Sequence, residues 1–135
     1  MHFMLDTSAF SDLMREHPKL ESRLAGCNHD DHFSICPIVR GEILHGISRL
    51  PEGQRRYDLL SKAAKLFAAI PCDPIVEAAA DHYSDIKLTR QKKGLVLDEN
   101  DLWIAASARA FGAVLVSRDS DFKSIDSLVT EDWTK

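Results

Sequence analysis

The chain has 135 residues, 44% of them hydrophobic, and 17 Lys and Arg against 21 Asp and Glu leave a formal net charge of −4. That length and apolar content suit a single domain over residues 1–135 with one core, and the acidic balance excludes a polybasic nucleic-acid binder. Cys27, Cys36 and Cys72 share no C-x-x-C spacing, and no run approaches the ~20 apolar residues of a membrane span, so a cytoplasmic protein with no membrane contact is expected.

Phe3-Met4-Leu5 is too short an apolar run for a helix and predicts a strand, closed by Asp6-Thr7-Ser8, residue types that favour helix starts. Ala9 to Glu16 carries Phe10, Leu13 and Met14 at helical spacing. Pro18 separates it from a second amphipathic piece with Leu20 and Leu24 that ends near Gly26. After a polar turn at His29-Asp30-Asp31-His32, Phe33 to Cys36 predicts a second strand, and Pro37 suits the first turn of a helix over Ile38 to Leu50. Val39, Ile43, Ile47 and Leu50 form its apolar stripe, widened by Leu44, with Glu42 at the stripe's edge.

Gln54 to Phe67 resumes helical spacing through Leu59, Leu60, Ala63 and Leu66, and Ala68-Ala69-Ile70 predicts a short strand before Pro71. A longer helix runs from Ile75 past Ala79, His82 and Ile86 to Arg90-Gln91-Lys92-Lys93, with Gly94 as its stop. Asp98 opens the next helix, whose segment Leu102 to Ala106 is apolar on every face and predicts burial all round. Ala113 to Val116 is the clearest strand and delivers Ser117-Arg118-Asp119 to its carboxyl end; a last strand is expected near Ser127 to Thr130. Alternating strands and helices indicate an α/β fold, a parallel sheet covered by helices, which binds ligands beyond the carboxyl ends of its strands.

Asp6 and Asp119 both fall at such ends. The acids of Asp98-Glu99-Asn100-Asp101, entering a buried helix, need positive charge nearby unless their pKa values rise. If Asp6, Glu42, Asp101 and Asp119 converge, a divalent cation relieves their repulsion, and an oxygen-only donor set suits Mg²⁺ or Mn²⁺, one or two ions, rather than zinc. Such a cleft has an evident use on phosphodiesters. Asp6 is assigned to the site because Thr7 and Ser8 can serve as caps in its place. Asp98 reads as the N-cap, with Asp101 facing the site from the first turn. His29-x-x-His32 with Asp30 and Asp31 lacks helical context and further ligands and reads as a surface turn. His45 and His82 read as surface or edge residues. Arg55, Arg56, Arg90, Lys92 and Lys93 are the basic residues best placed to meet phosphates.

The order Leu5-Asp6-Thr7-Ser8, Val39-Arg40-Gly41-Glu42-Ile43, Asn100-Asp101-Leu102-Trp103-Ile104-Ala105-Ala106 and Leu115-Val116-Ser117-Arg118-Asp119-Ser120-Asp121-Phe122 resembles the PIN-domain family across nearly the whole chain. More narrowly, with the closing Thr130-Glu131-Asp132-Trp133, it is similar to VapC toxins of type II toxin-antitoxin systems. The resemblance implies a Rossmann-like three-layer fold with a central parallel sheet of four or five strands. It also implies a Mg²⁺- or Mn²⁺-dependent endoribonuclease, dimeric, held inactive by a VapB-type antitoxin whose tail occupies the cleft, with DNA reached only through that antitoxin. Carried over by position, the site acids fall on Asp6, Glu42, Asp101 and Asp119. Asp6, Asp101 and Asp119 hold metal, while Glu42 and Asp98 are further candidates, directly or through water. Thr7 and Ser117 match flanking hydroxyls, and Asp121 is an extra acid in support. The antitoxin is expected across Phe10, Leu13, Met14 or Leu44.

Two other aspartate-based folds fit less well. A haloacid dehalogenase phosphatase needs a second aspartate where Ser8 stands, and a phospho-receiver needs a lysine that Ser117-Arg118-Asp119 does not supply. A DNA-bound regulator or scaffold acting with its antitoxin, and a solitary PIN nuclease, stay open beside the toxin.

Overall fold

Four parallel strands run in the order β2-β1-β3-β4 in a computed structural model that describes residues 1–135. They are β1 (His2–Leu5), β2 (His32–Ser34), β3 (Val114–Val116) and β4 (Thr130–Glu131). Six helices flank them: α1 (Thr7–Met14), α2 (Pro18–Ala25), α3 (Pro37–Ser48), α4 (Gln54–Ala69), α5 (Glu77–Lys92) and α6 (Glu99–Ala110). No helix is long and apolar enough to cross a membrane.

Met4, Leu5 and Leu115 are wholly buried, as the continuous apolar runs of the two central strands require when both faces of a parallel sheet are covered. Register sets the direction in which the chain leaves them. Phe3, Met4 and Leu5 pair with Val114, Leu115 and Val116, so Asp6 and Ser117 leave the sheet side by side. The core gathers Phe10 from α1, Val39 and Ile43 from α3, and Ile104 to Ala106 from α6.

Several elements differ from the sequence expectation. Ala68-Ala69-Ile70 is not a strand: α4 continues through Ala69, because alanines are good helix formers and Ile70 N–H still reaches the Leu66 carbonyl at 2.7 Å. A single parallel bridge, Ile35 to Cys72, stands where a fifth strand was expected. The last strand lies slightly later, at Thr130–Glu131. Trp103 is only half-buried rather than enclosed; it stacks on Tyr83 with centroids 4.2 Å apart, and Tyr83 also donates to Glu99. That contact clamps α5 to the first turn of α6. Phe10, Leu13 and Met14, expected on an antitoxin surface, are buried because α1 turns its apolar face toward α3 and α4; of that set only Leu44 is exposed.

At the start of the sheet, His2 and His32 are register partners, and their rings lie 4.6 Å apart. Burial and the neighbouring His32 hold the His2 imidazole below its ordinary pKa, against the pull of Asp73.

Candidate active site

Asp6 follows β1 with extended backbone and caps α1, its Oδ1 accepting from the Ala9 N–H at 2.8 Å. The expectation that Thr7 or Ser8 would take the cap is therefore corrected: only at the strand end does a side chain point back along the new helix. Ser8 Oγ donates to both carboxylate oxygens, at 2.9 and 3.0 Å, and Ser117 Oγ donates to Oδ2 at 2.5 Å. Asp6 is 4% exposed, and desolvation raises its pKa despite these donors. The carboxylate is thus fixed in place, and its charge is costly.

Glu42 leaves the edge of the α3 stripe, and Thr7 Oγ1 donates to its Oε1 at 2.7 Å. Asp119 follows β3 and caps a short 3-10 turn over Ser120–Ser124, Oδ1 accepting from the Asp121 N–H at 2.9 Å; the Asp119 N–H donates to Ser117 Oγ at 3.0 Å. Ser117 therefore bridges the two strand ends. Asp98 caps α6 through Asn100 N–H, as its spacing predicts, and this turns Asp101 inward from the first turn. Asp101 has no protein hydrogen-bond donor. Desolvation, then Asp98, Glu42, Asp119 and Asp6 in turn, push its pKa up to about 6.

A cleft of about 510 Å³ is lined by Asp6, Thr7, Ser8, Glu42, Asp101, Arg118, Asp119 and Ser120. The four acids singled out in the sequence meet there, while Asp98 and Asp121 are exposed and outside its lining. None of the four has a cationic partner. Arg118, the one cation lining the cleft, donates from Nε to Asp12 Oδ2 at 3.0 Å, and Arg15 donates to Oδ1 of the same residue at 3.2 Å. The acids are also spread: no three bring ligand oxygens within 4.8 Å of one another. Hard oxygen donors, uncompensated charge and room between them fit a cation that keeps much of its water, as Mg²⁺ does.

Asp12, 7% exposed, and the arginines it holds went unnoticed in the sequence. Its position beside Leu13 on the buried side of α1 was the available signal. Arg90, expected on an RNA-facing surface, is instead 5% exposed: it lies on the inner face of α5 and donates to Ser124 Oγ at 2.7 Å and to the Asp121 carbonyl at 3.3 Å, bracing the turn after Asp119. Lys92 and Lys93 are exposed but do not line the cleft, and Lys93 lies 3.9 Å from Asp126. Arg56 is half-buried, whereas Arg55 is exposed and lines a groove that shares Thr7 and Glu42 with the cleft.

The family model described as the PIN domain matches residues 3–128. The chain belongs to the PIN-domain family. Among its relatives are Ribonuclease VapC1 of Haemophilus influenzae strain R2866, 30% identical over 138 residues, and Ribonuclease VapC2 of Rickettsia felis, 27% identical over 137, each covering 100% of both chains. This PIN domain superposes on VapBC2 from Rickettsia felis, bound to a DNA fragment from their promoter, with TM-score 0.90 and 26% identity, over 98% of this chain and 99% of that one. It matches VapBC-1 from nontypeable Haemophilus influenzae with TM-score 0.89 and 28% identity over 100% of both. PIN nucleases are in general dependent on divalent metal, and the donor set of this PIN domain is of that kind.

Proposed function

We propose that this PIN domain is the toxin of a type II toxin-antitoxin pair, an endoribonuclease that hydrolyses RNA phosphodiester bonds with Mg²⁺, or Mn²⁺ in its place. What carries the reading is the meeting of Asp6, Glu42, Asp101 and Asp119 in one cleft without a cationic partner. Bound there, such an ion would supply positive charge against the phosphate oxygens and the leaving oxygen. Asp6, Asp101 and Asp119 would hold it. Ser117 and Ser8 position Asp6, and Thr7 holds one Glu42 oxygen so that the other faces the cleft. Asp101, which has no protein hydrogen-bond donor, would leave its oxygens free to hold that ion. Arg118, lining the cleft, and Arg55, in the adjoining groove, would meet the flanking phosphates.

The relatives named Ribonuclease VapC support RNA as substrate, and the VapBC complexes support a VapB-type partner. That partner's segment would lie in the groove that half-buried Leu50 and Leu59 line, which shares Thr7 and Glu42 with the cleft. DNA is then reached through the partner, and the chain works as a homodimer.

The purified, partner-free chain is expected to cleave RNA in Mg²⁺, with at least a ~100-fold loss in folded Asp101→Asn and Asp6→Asn variants. Equal cleavage in excess EDTA would overturn the mechanism. Co-expression with the product of a small adjacent reading frame is expected to yield a complex that no longer cleaves; absence of any such partner would favour a nuclease acting alone.

A further inference from the structure

We propose that His2, His32 and Asp73 form a second cation site, selective for a zinc-like transition metal and separate from the acidic cleft. His32 Nε2 lies 2.9 Å from Asp73 Oδ2 and His2 Nε2 lies 3.3 Å from the same oxygen; the three ligand atoms all fall within 4.8 Å of one another. Ligands ~2.1 Å from a tetrahedral ion lie roughly 3.4 Å apart, so small side-chain adjustments suffice. Two imidazoles and one carboxylate are the borderline donors that zinc and its neighbours prefer and Mg²⁺ does not.

Three separate segments supply the ligands. His2 opens β1, its register partner His32 opens β2, and Asp73 follows the lone bridge at Cys72, its N–H donating to the Ile35 carbonyl at 2.9 Å. No lysine or arginine pairs with Asp73. Ser34 Oγ lies 2.7 Å from His2 Nε2 and is positioned to assist as a fourth ligand or to hold a water in that place. The Phe111 ring packs 5.4 Å from the His2 ring and walls the site on one side. His32, with 47% of its side chain exposed, leaves an entry path. His2 precedes Asp6 by four residues of strand, about 13 Å, so the two sites load independently. A bound ion would cross-link β1, β2 and the α4–α5 connection. His29, 94% exposed, takes no part, so the adjacent pair in sequence is not the pair that binds.

The full chain, stripped with EDTA and titrated with Zn²⁺ in excess Mg²⁺, is expected to bind one equivalent and to melt at a higher temperature. His32→Ala, at an exposed position that tolerates it, and Asp73→Asn each weaken that binding at least ~10-fold, whereas Asp6→Asn does not. With Co²⁺ as the probe, a visible ligand-field band is expected in the parent chain and absent from His32→Ala. No Zn²⁺ binding by the parent, binding unchanged in His32→Ala and Asp73→Asn, or binding lost in Asp6→Asn or Cys72→Ser would each overturn the proposal.

Discussion

The acidic cleft beyond the carboxyl ends of the strands and the His2–His32–Asp73 cluster near their beginning differ in how charge is balanced. The cleft gathers four carboxylates, gives none of them a cation and spaces them widely; the cluster sets one carboxylate against two imidazoles within direct contact. Uncompensated like charge weakens a fold, whereas a hydrogen-bonded His–Asp set does not. Function at the cleft is therefore bought with stability, and substitutions that remove charge there should separate the two.

The largest effect is expected at Asp101. Asp101→Asn lowers cleavage by at least ~100-fold yet leaves the metal-free protein at least as stable as the parent, because the substitution removes a repelled charge. Paired RNA-cleavage assays and thermal melts check this, and parallel loss of both would sink the contrast. Ser117→Ala should act oppositely, costing ~1–3 kcal/mol in denaturant unfolding, since it strips a donor from the buried Asp6 carboxylate, and slowing cleavage as Asp6 loses its fixed position.

A smaller effect concerns pH. Asp101 has a folded pKa of about 6 against an ordinary 3.8, so the native state holds this proton more tightly than the unfolded state. Its contribution to stability is full below the ordinary value and is lost as pH rises through about 6; Asp6, also raised, acts in the same direction. The change in melting temperature of metal-free protein between about pH 5 and about pH 7 should accordingly shift toward higher relative stability at the upper pH in Asp101→Asn. The smallest effect is expected for Thr7→Val, which frees Glu42 and costs about 1 kcal/mol or less with a partial loss of cleavage.

Junctions between a strand and a helix were the legible part of this chain. Asp6 and Asp119 follow short apolar runs, and Asp98 with Asp101 opens an apolar helix, so local pattern pointed to three of the acids that line the cleft. The helical period of α3 set Glu42 at the edge of its stripe, within reach of the site, but by itself read it as a solvated residue. What pattern could not give was pairing across the sheet and the sidedness of polar residues. Arg90 opens a run that reads as a solvated basic face, but only packing of α5 against the turn at Ser120–Ser124 shows it turned inward. His32 has a plausible neighbour in His29, and only the parallel register of β1 with β2 reveals His2 as its partner. Ala68 to Ile70 was ambiguous by length, and helix propensity decided it.

Strand order also governs how the site comes apart. β1 and β3 are the interior pair, shielded by β2 on one flank and β4 on the other, and Asp6 and Ser117 are anchored to them. Amides there lie in the part of a domain that exchanges with solvent only through global opening, while edge strands and termini fray first. The buried Asp6 carboxylate and the Ser117 hydroxyl that holds it thus stand on the slowest-opening scaffold, and that wall of the cleft persists through local breathing.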